Sequence, residues 1–213
     1  MLTNKKINHL FPDLEEFVKH ADKASAHLDQ ERIKLLGGLI QFVRRSLEDA
    51  GKVQLVFICT HNSRRSHFAQ IWARVMSQYF GVSGVHTYSG GTEATAFNHR
   101  AVETLKNIGF SVIDPGGKNP HYQLSFSSDH EPLVAWSKTF DDPANPRTDF
   151  GAVMTCSDAD ENCPVVLGAT KRISLHYQDP KESDGSPEEV ATYKERCFQI
   201  ATEMAYVMRQ VTA

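Results

Sequence analysis

The chain has 213 residues, 40% of them hydrophobic, with 23 basic against 26 acidic side chains and a net charge of −3. That length suits one soluble domain with a sizeable core, and without a basic excess a nucleic-acid partner is a poor expectation. No apolar run approaches the ~20 residues needed to cross a bilayer, the first residues lack the apolar segment of a signal peptide, and four cysteines are too few for a disulfide scaffold; a cytoplasmic protein whose thiols are catalytic, redox or buried is expected.

Residues 12–50 read as two helices forming a hairpin, an extension (residues 1–50) before a main domain at 51–213. Leu14, Phe17, Val18, Ala21 and Leu28 recur at helical spacing, and Ile33, Leu36, Ile40, Val43 and Leu47 step by three and four. Glu15, Glu16, Lys19, Lys34, Arg44 and Arg45 fill a solvated face. His9, His20 and His27 have no metal spacing and read as surface residues. The two apolar stripes need cover, either from the main domain or from a second copy in a homodimer.

The main domain begins with a β-branched, apolar strand, residues 53–58, that ends in Cys59 and the polar turn Thr60-His61-Asn62-Ser63-Arg64-Arg65-Ser66 before a helix. Five residues separate Cys59 from Arg65, so a loop wrapping a tetrahedral oxyanion can place a sulfur beneath it and a guanidinium fork beside it. N–H groups of the loop and of the helix N-terminus attract anions. The same field favours a thiolate nucleophile at Cys59. Thr60, His61, Asn62, Ser63, Arg64 and Ser66 are candidates for oxyanion contact, although Arg64 either adds charge beside the anion or simply points outward. Preceded by a strand and followed by Ser66, this pattern resembles the low-molecular-weight tyrosine phosphatase superfamily.

Helix 66–80 follows, with Phe68, Ile71, Trp72, Val75 and Tyr79 inward and Gly81 ending it. A short strand from Gly84 runs into the Gly90-Gly91 turn, and helix 98–108 starts at Asn98 as N-cap and stops at Gly109. This alternation implies a parallel sheet with ligands beyond the carboxyl ends of the strands, where Cys59 lies. Residues 115–149 break the rhythm with an inserted β-hairpin, Tyr122–Phe126 returning through Leu133–Trp136 and Thr139–Phe140. It could extend the sheet edge or shape the substrate entrance.

A second strand ends at Cys156, and Cys163 follows seven positions later in Ser157-Asp-Ala-Asp-Glu-Asn-Cys-Pro164. The calcium reading fails because the twelve-residue loop pattern is missing, and zinc is weak without a Cys-x2-Cys or matching histidine pair; no metal is expected. Two thiols near a nucleophilic third permit sequential thiol–disulfide exchange. Together with the Cys59 loop, this segment looks like the thioredoxin-coupled arsenate reductases, over roughly residues 53–210. The resemblance implies a four-stranded parallel doubly wound sheet, attack of Cys59 on arsenate, displacement of arsenite by Cys156 with a Cys59–Cys156 disulfide, and a Cys156–Cys163 disulfide that thioredoxin or a similar thiol reductant reduces. Gln70 stands where many relatives have a glutamate that helps bind potassium, which puts that ion's site in doubt.

A last strand over Arg172–His176 leads to Asp179-Pro180-Lys181. The family's general acid occupies such an Asp-Pro after the Cys156 strand, so Asp179 is chosen over Asp142-Pro143. Phosphatases of this type usually follow Asp-Pro with an aromatic residue; Lys181 here points to a small inorganic oxyanion. Ser186-Pro187-Glu188-Glu189 reads as a capping box opening a long helix with Val190, Tyr193, Cys197, Ile200, Met204, Val207 and Val211 in its stripe, and Cys197 reads as an inert core residue. Arsenate reduction is the leading expectation. Phosphomonoester hydrolysis through a phosphocysteine on the same loop and a non-catalytic phosphate-binding protein are the alternatives.

Overall fold

In the computed structural model residues 10–163 and 165–213 are described; the signal-peptide reading, His9 and Pro164 fall outside the described residues. The hairpin forms as the periodicity predicts. Helix α1 (Pro12–Ala24) opens with Pro12, whose missing N–H costs nothing in a first turn. Helix α2 (Gln30–Ala50) is capped by Asp29, which accepts from the Arg32 N–H at 2.7 Å, and it ends at Gly51 with φ 67°. His20 and His27 are exposed.

Strand β1 (Val53–Cys59), helix α3 (Arg65–Tyr79), strand β2 (Val85–Gly91), helix α4 (His99–Asn107), strand β6 (Phe150–Met154), the short helix α5 (Ser157–Asn162), strand β7 (Ala169–Ser174) and helix α6 (Glu189–Thr212) build the main layer. Between α4 and β6 lie β3 (Ser111–Ile113), β4 (Tyr122–Ser125) and β5 (Leu133–Ala135). The large sheet is wholly parallel in the order β2-β1-β6-β7. Chain connections leave β1 in opposite directions, so the crevice at its carboxyl end is where such sheets hold ligands.

The sheet divides the apolar residues. Leu55, Phe57 and Val153 face the larger core with α1, α2, α3 and α6, while Val56, Ile58, Ala152 and Met154 face a smaller one. This alternation is the period of two of a strand buried on both faces. The hairpin's stripes are covered within the chain: α1 and α2 both lie along α6, Phe17 stacks on Trp72 of α3, and Phe42 of α2 fills the space above Gly151, where a Cβ would meet its ring at 2.5 Å. The second face is covered more thinly than the doubly wound expectation suggests, by α5, Val166 and Phe140.

One open alternative is decided and two expectations change. The insertion pairs as foreseen, Tyr122 opposite Ala135 and Leu124 opposite Leu133, but β3 adds to it, giving a separate antiparallel sheet rather than an extension of the parallel one. Helix α6 begins at Glu189, not at Pro187: Ser186 Oγ accepts from the Glu188 N–H at 3.2 Å while the Glu189 carboxylate accepts from Gly185 N–H at 2.6 Å, so the reciprocal cap closes one residue too early. Val190, placed in the stripe by spacing, is therefore 71% exposed in the first turn.

Candidate active site

Four carbonyls of the Cys59 loop are tied to neighbouring segments. Cys59 O accepts from Thr92 N–H, Thr60 O from Glu93 N–H, and Ser63 O from Asn98 N–H at 3.0 Å; His61 O accepts from the hydroxyls of Ser137 at 2.9 Å and Thr95 at 3.3 Å. Among the described residues no partner is found for the N–H groups of Thr60 through Ser66. That is a nest at the start of α3, ready for an anion. The end of β2 presses against it: a Cβ at Gly91 would stand 2.6 Å from Thr60 O and 2.7 Å from Asn62 N.

Asn62 makes the sharp turn with φ 45°, a conformation asparagine tolerates better than most side chains. Its Oδ1 accepts from Lys138 N–H at 2.9 Å, which fixes the amide so that Nδ2 donates to Ser66 Oγ at 2.9 Å. With one lone pair so engaged, the Ser66 hydroxyl can direct its proton at Cys59 Sγ, 3.1 Å away. A thiolate accepts such a bond better than a thiol does.

Arg65 is 8% exposed. Its Nη1 donates to Tyr177 O at 3.1 Å and its Nη2 to Asp179 Oδ2 at 2.7 Å, while Nε is buried with no partner among the described residues. Asp179 also caps its own turn, accepting from Lys181 N–H at 3.1 Å. Asp142 instead closes a local turn by accepting from Ala144 N–H at 2.8 Å, away from Arg65. Arg64 does neither of the things sequence allowed. Its Nε donates to Tyr193 OH at 2.7 Å and its Nη2 pairs with Asp184 at 3.2 Å, with only 11% of the side chain exposed, so this guanidinium braces α6 against the loop. His61 pairs with Glu93 at 3.0 Å on the rim.

The three cysteines of the motif share the smaller core, Cys59 and Cys156 buried and Cys163 half-buried. Cys156 Sγ lies 3.5 Å from Thr60 Oγ1 and caps α5 by accepting from Ala159 N–H at 3.4 Å. Cys163 ends the same helix, its N–H donating to Ala159 O at 3.1 Å. Burial pushes the Cys163 thiol up, against the opposing pull of Arg172. Asp160, between them, is held by Arg172 and by His176 Nε2 at 2.7 Å. Cys197 is apart from all of this, beside Trp72 Nε1 at 3.2 Å, its thiol pushed up to about 12 by burial.

Sequence reasoning missed the insertion's part in the loop. Ser137 and Lys138 bond to His61 and Asn62 across 76 positions, and no local pattern marks them. Lys138 is 4% exposed, with Nζ 4.2 Å above the Trp136 ring, and burial lowers its ammonium from its ordinary 10.5 to about 8. Burial, helped by the Lys138 charge, keeps His67 neutral where it stacks on Phe97. Gln70 gives its Nε2 to Thr87 O at 3.2 Å, and its Oε1 is buried with no partner among the described residues.

No protein-family model matches the chain. It is 31% identical to arsenate reductase 2 of Staphylococcus epidermidis over 130 residues, which are 61% of this chain and 79% of the relative. It is 29% identical to arsenate reductase of Staphylococcus aureus over 135 residues, 63% of this chain and 84% of that one. The fold matches the crystal structure of a low-molecular-weight protein tyrosine phosphatase from T. tengcongensis with TM-score 0.51 and 17% identity, covering 74% of this chain and 99% of that one. A solution structure of a low-molecular-weight protein tyrosine phosphatase from Bacillus subtilis gives TM-score 0.50 at 16% identity, over 75% and 97%.

Proposed function

This chain belongs to the arsenate reductase family within the low-molecular-weight phosphatase superfamily, and from that premise we propose that it reduces arsenate to arsenite through Cys59, Cys156 and Cys163. The observation that carries the reading is the gathering of three thiols in one small apolar core beside a loop whose N–H groups have no partner among the described residues.

In the proposed course the oxyanion lies in the nest, where N–H donors and Arg65 hold its oxygens. The Cys59 thiolate attacks arsenic and one oxygen leaves as water, Asp179 donating the proton it needs. The Cys156 thiolate then attacks Cys59 Sγ. The S–As bond breaks with its electron pair left on arsenic, arsenite departs, and two thiols have become one disulfide. Cys163 next attacks Cys156 Sγ, which frees Cys59 and passes the disulfide to the Cys156–Cys163 pair at the half-buried edge. A dithiol such as thioredoxin takes it from there. No helix of the described residues is long and apolar enough to cross a membrane, and a reducing cytoplasm is the compartment proposed with this relay.

The test is arsenate-dependent oxidation of thioredoxin, with mass mapping of the disulfides. Cys156→Ser is expected to stop multiple turnover, and Cys163→Ser to permit one turnover and trap Cys59–Cys156. If both variants turn over like wild type, the relay is wrong. The second reading is phosphomonoester hydrolysis, which the same loop and Asp179 would serve equally; burst release from an aryl phosphate, with no thiol consumption, would select it.

A further inference from the structure

Arg32 belongs to the N-terminal hairpin, to which the sequence assigns no chemistry, yet its guanidinium reaches 171 positions along the chain to a carboxylate in the core. Nε and Nη2 of Arg32 donate to the two oxygens of Glu203, each at 2.8 Å, and the Glu203 side chain is 1% exposed. A carboxylate so buried needs a countercharge and filled lone pairs. Arg32 supplies the charge. Gln199 Nε2 at 3.1 Å and Tyr177 OH at 2.7 Å complete the shell.

Tyr177 joins this cluster to the oxyanion loop. Its hydroxyl is held by Glu203, its ring lies under the Arg32 guanidinium at 4.8 Å, its N–H donates to Thr155 O at 3.1 Å, and its carbonyl accepts from Arg65 Nη1 at 3.1 Å. Burial and the Glu203 carboxylate keep the phenol protonated and therefore donating. Two residues on, Asp179 takes the other terminal nitrogen of Arg65. Both ends of that guanidinium thus rest on one stretch, and Glu203 and Arg32 hold that stretch from behind. A side-chain guanidinium has several rotamers, and a bidentate fork binds an oxyanion well only in one of them.

We infer that Arg32 is a positioning residue for the oxyanion site: acting through Glu203 and Tyr177, it fixes the carbonyl that aims Arg65, so the helical hairpin completes the site. The inference rests on the reading of Cys59–Arg65 as an oxyanion loop. Both Arg32 and Glu203 stand outside the loop and touch no reacting atom.

The experiment measures binding of inorganic phosphate by titration calorimetry in wild type, Arg32→Met, Arg32→Lys and Tyr177→Phe, beside the rate at which iodoacetamide alkylates Cys59. Tyr177→Phe removes one hydroxyl from a filled site, and loss of one hydrogen bond in the line predicts phosphate affinity falling about 3- to 10-fold. Arg32→Met is expected to fall at least as far. Arg32→Lys, with one donor in place of a fork, should recover only part of the loss. The double variant Arg32→Met/Tyr177→Phe should bind no worse than the weaker single one, because both act along one line. Alkylation of Cys59 should stay within about twofold of wild type, since the Asn62–Ser66 bonds are untouched. Variants that melt at lower temperature but bind phosphate like wild type would make Arg32 a brace for the fold alone and overturn the inference. If Arg32→Met does not fold, Tyr177→Phe decides by the same criterion. Wild-type protein that binds neither phosphate nor arsenate would overturn the oxyanion reading itself, and this inference with it.

Discussion

Replacing Ser66 by alanine removes a single buried oxygen from between Asn62 Nδ2 and Cys59 Sγ, 2.9 Å from one and 3.1 Å from the other. Ser66 is fully buried in the first turn of α3, where alanine is a good helix former, so the fold should persist. Two interactions go. The sulfur loses a donor, and a hydrogen bond to a charged group is worth about 1.5–3 kcal/mol, or roughly 10- to 150-fold in rate at 1.4 kcal/mol per decade. Asn62 Nδ2 is also left without an acceptor, which loosens a residue held at φ 45°. Both effects act on the thiolate and on the N–H cradle, so kcat/KM for arsenate and the rate of Cys59 alkylation at pH 7 should fall together by about 10-fold or more. Circular dichroism and phosphate binding check that the loop has not collapsed. Alkylation and turnover within twofold of wild type, in a folded protein, would refute the claim that Ser66 donates a hydrogen bond that stabilises the thiolate.

Asp179→Asn should slow turnover by about 10²–10⁴-fold, the usual contribution of a general acid, whereas Asp142→Asn should cost little, since that side chain closes only a local turn; side-by-side pH–rate profiles showing equal losses would reverse the choice. Lys138 is lowered to about 8 when folded against an ordinary 10.5, so the unfolded chain binds the extra proton between those values and stability should rise with pH across that window. Lys138→Met removes the cost of burying the charge, so the variant should be more stable than wild type at pH 7, on the order of 1–3 kcal/mol, and the gap should close by pH 10; urea midpoints at pH 7 and 10 that differ by the same amount would contradict this.

The pieces legible in the sequence are those that depend on neighbours along the chain. An apolar strand broken by a cysteine and a polar turn has few ways to fold, which is why Cys59 and Arg65 stand together at the carboxyl end of β1. The strand before Cys156 and the hairpin's two stripes follow from the same periodicities. What was not legible depends on distant partners. Nothing near Lys138 announces that its N–H closes on Asn62, and nothing near Arg32 announces Glu203, because such pairings are fixed by how α2, α6 and the insertion pack. Arg64 shows the same limit from within the motif. Its position suggested a charge for the anion or for water, and Tyr193 with Asp184, more than a hundred positions away, took it instead. The early start given to α6 failed for a smaller reason: Glu189 found Gly185 N–H before Ser186 could.

The relay also sets a requirement on α5. Cys156 and Cys163 sit at opposite ends of it, so a disulfide between them needs the helix to open. Six residues are too few to hold a helix without tertiary contacts; Ala159 packs in the smaller core, and polar contacts hold this one, Cys156 Sγ accepting from Ala159 N–H at 3.4 Å and Asp160 bound by Arg172 and His176. In the proposed sequence the first weakens by itself, because a sulfur joined to Cys59 is a poorer acceptor than a thiolate. The Asp160 ion pairs then remain as a polar tether. Asp160→Ala should speed amide exchange across residues 159–163 by about 10-fold, as expected when a partly exposed charge pair worth roughly 1 kcal/mol and its hydrogen bonds are lost. It should speed the passage from Cys59–Cys156 to Cys156–Cys163 in rapid-quench mass mapping by a similar factor. Faster amide exchange with an unchanged or slower disulfide transfer would show that opening α5 does not limit the relay.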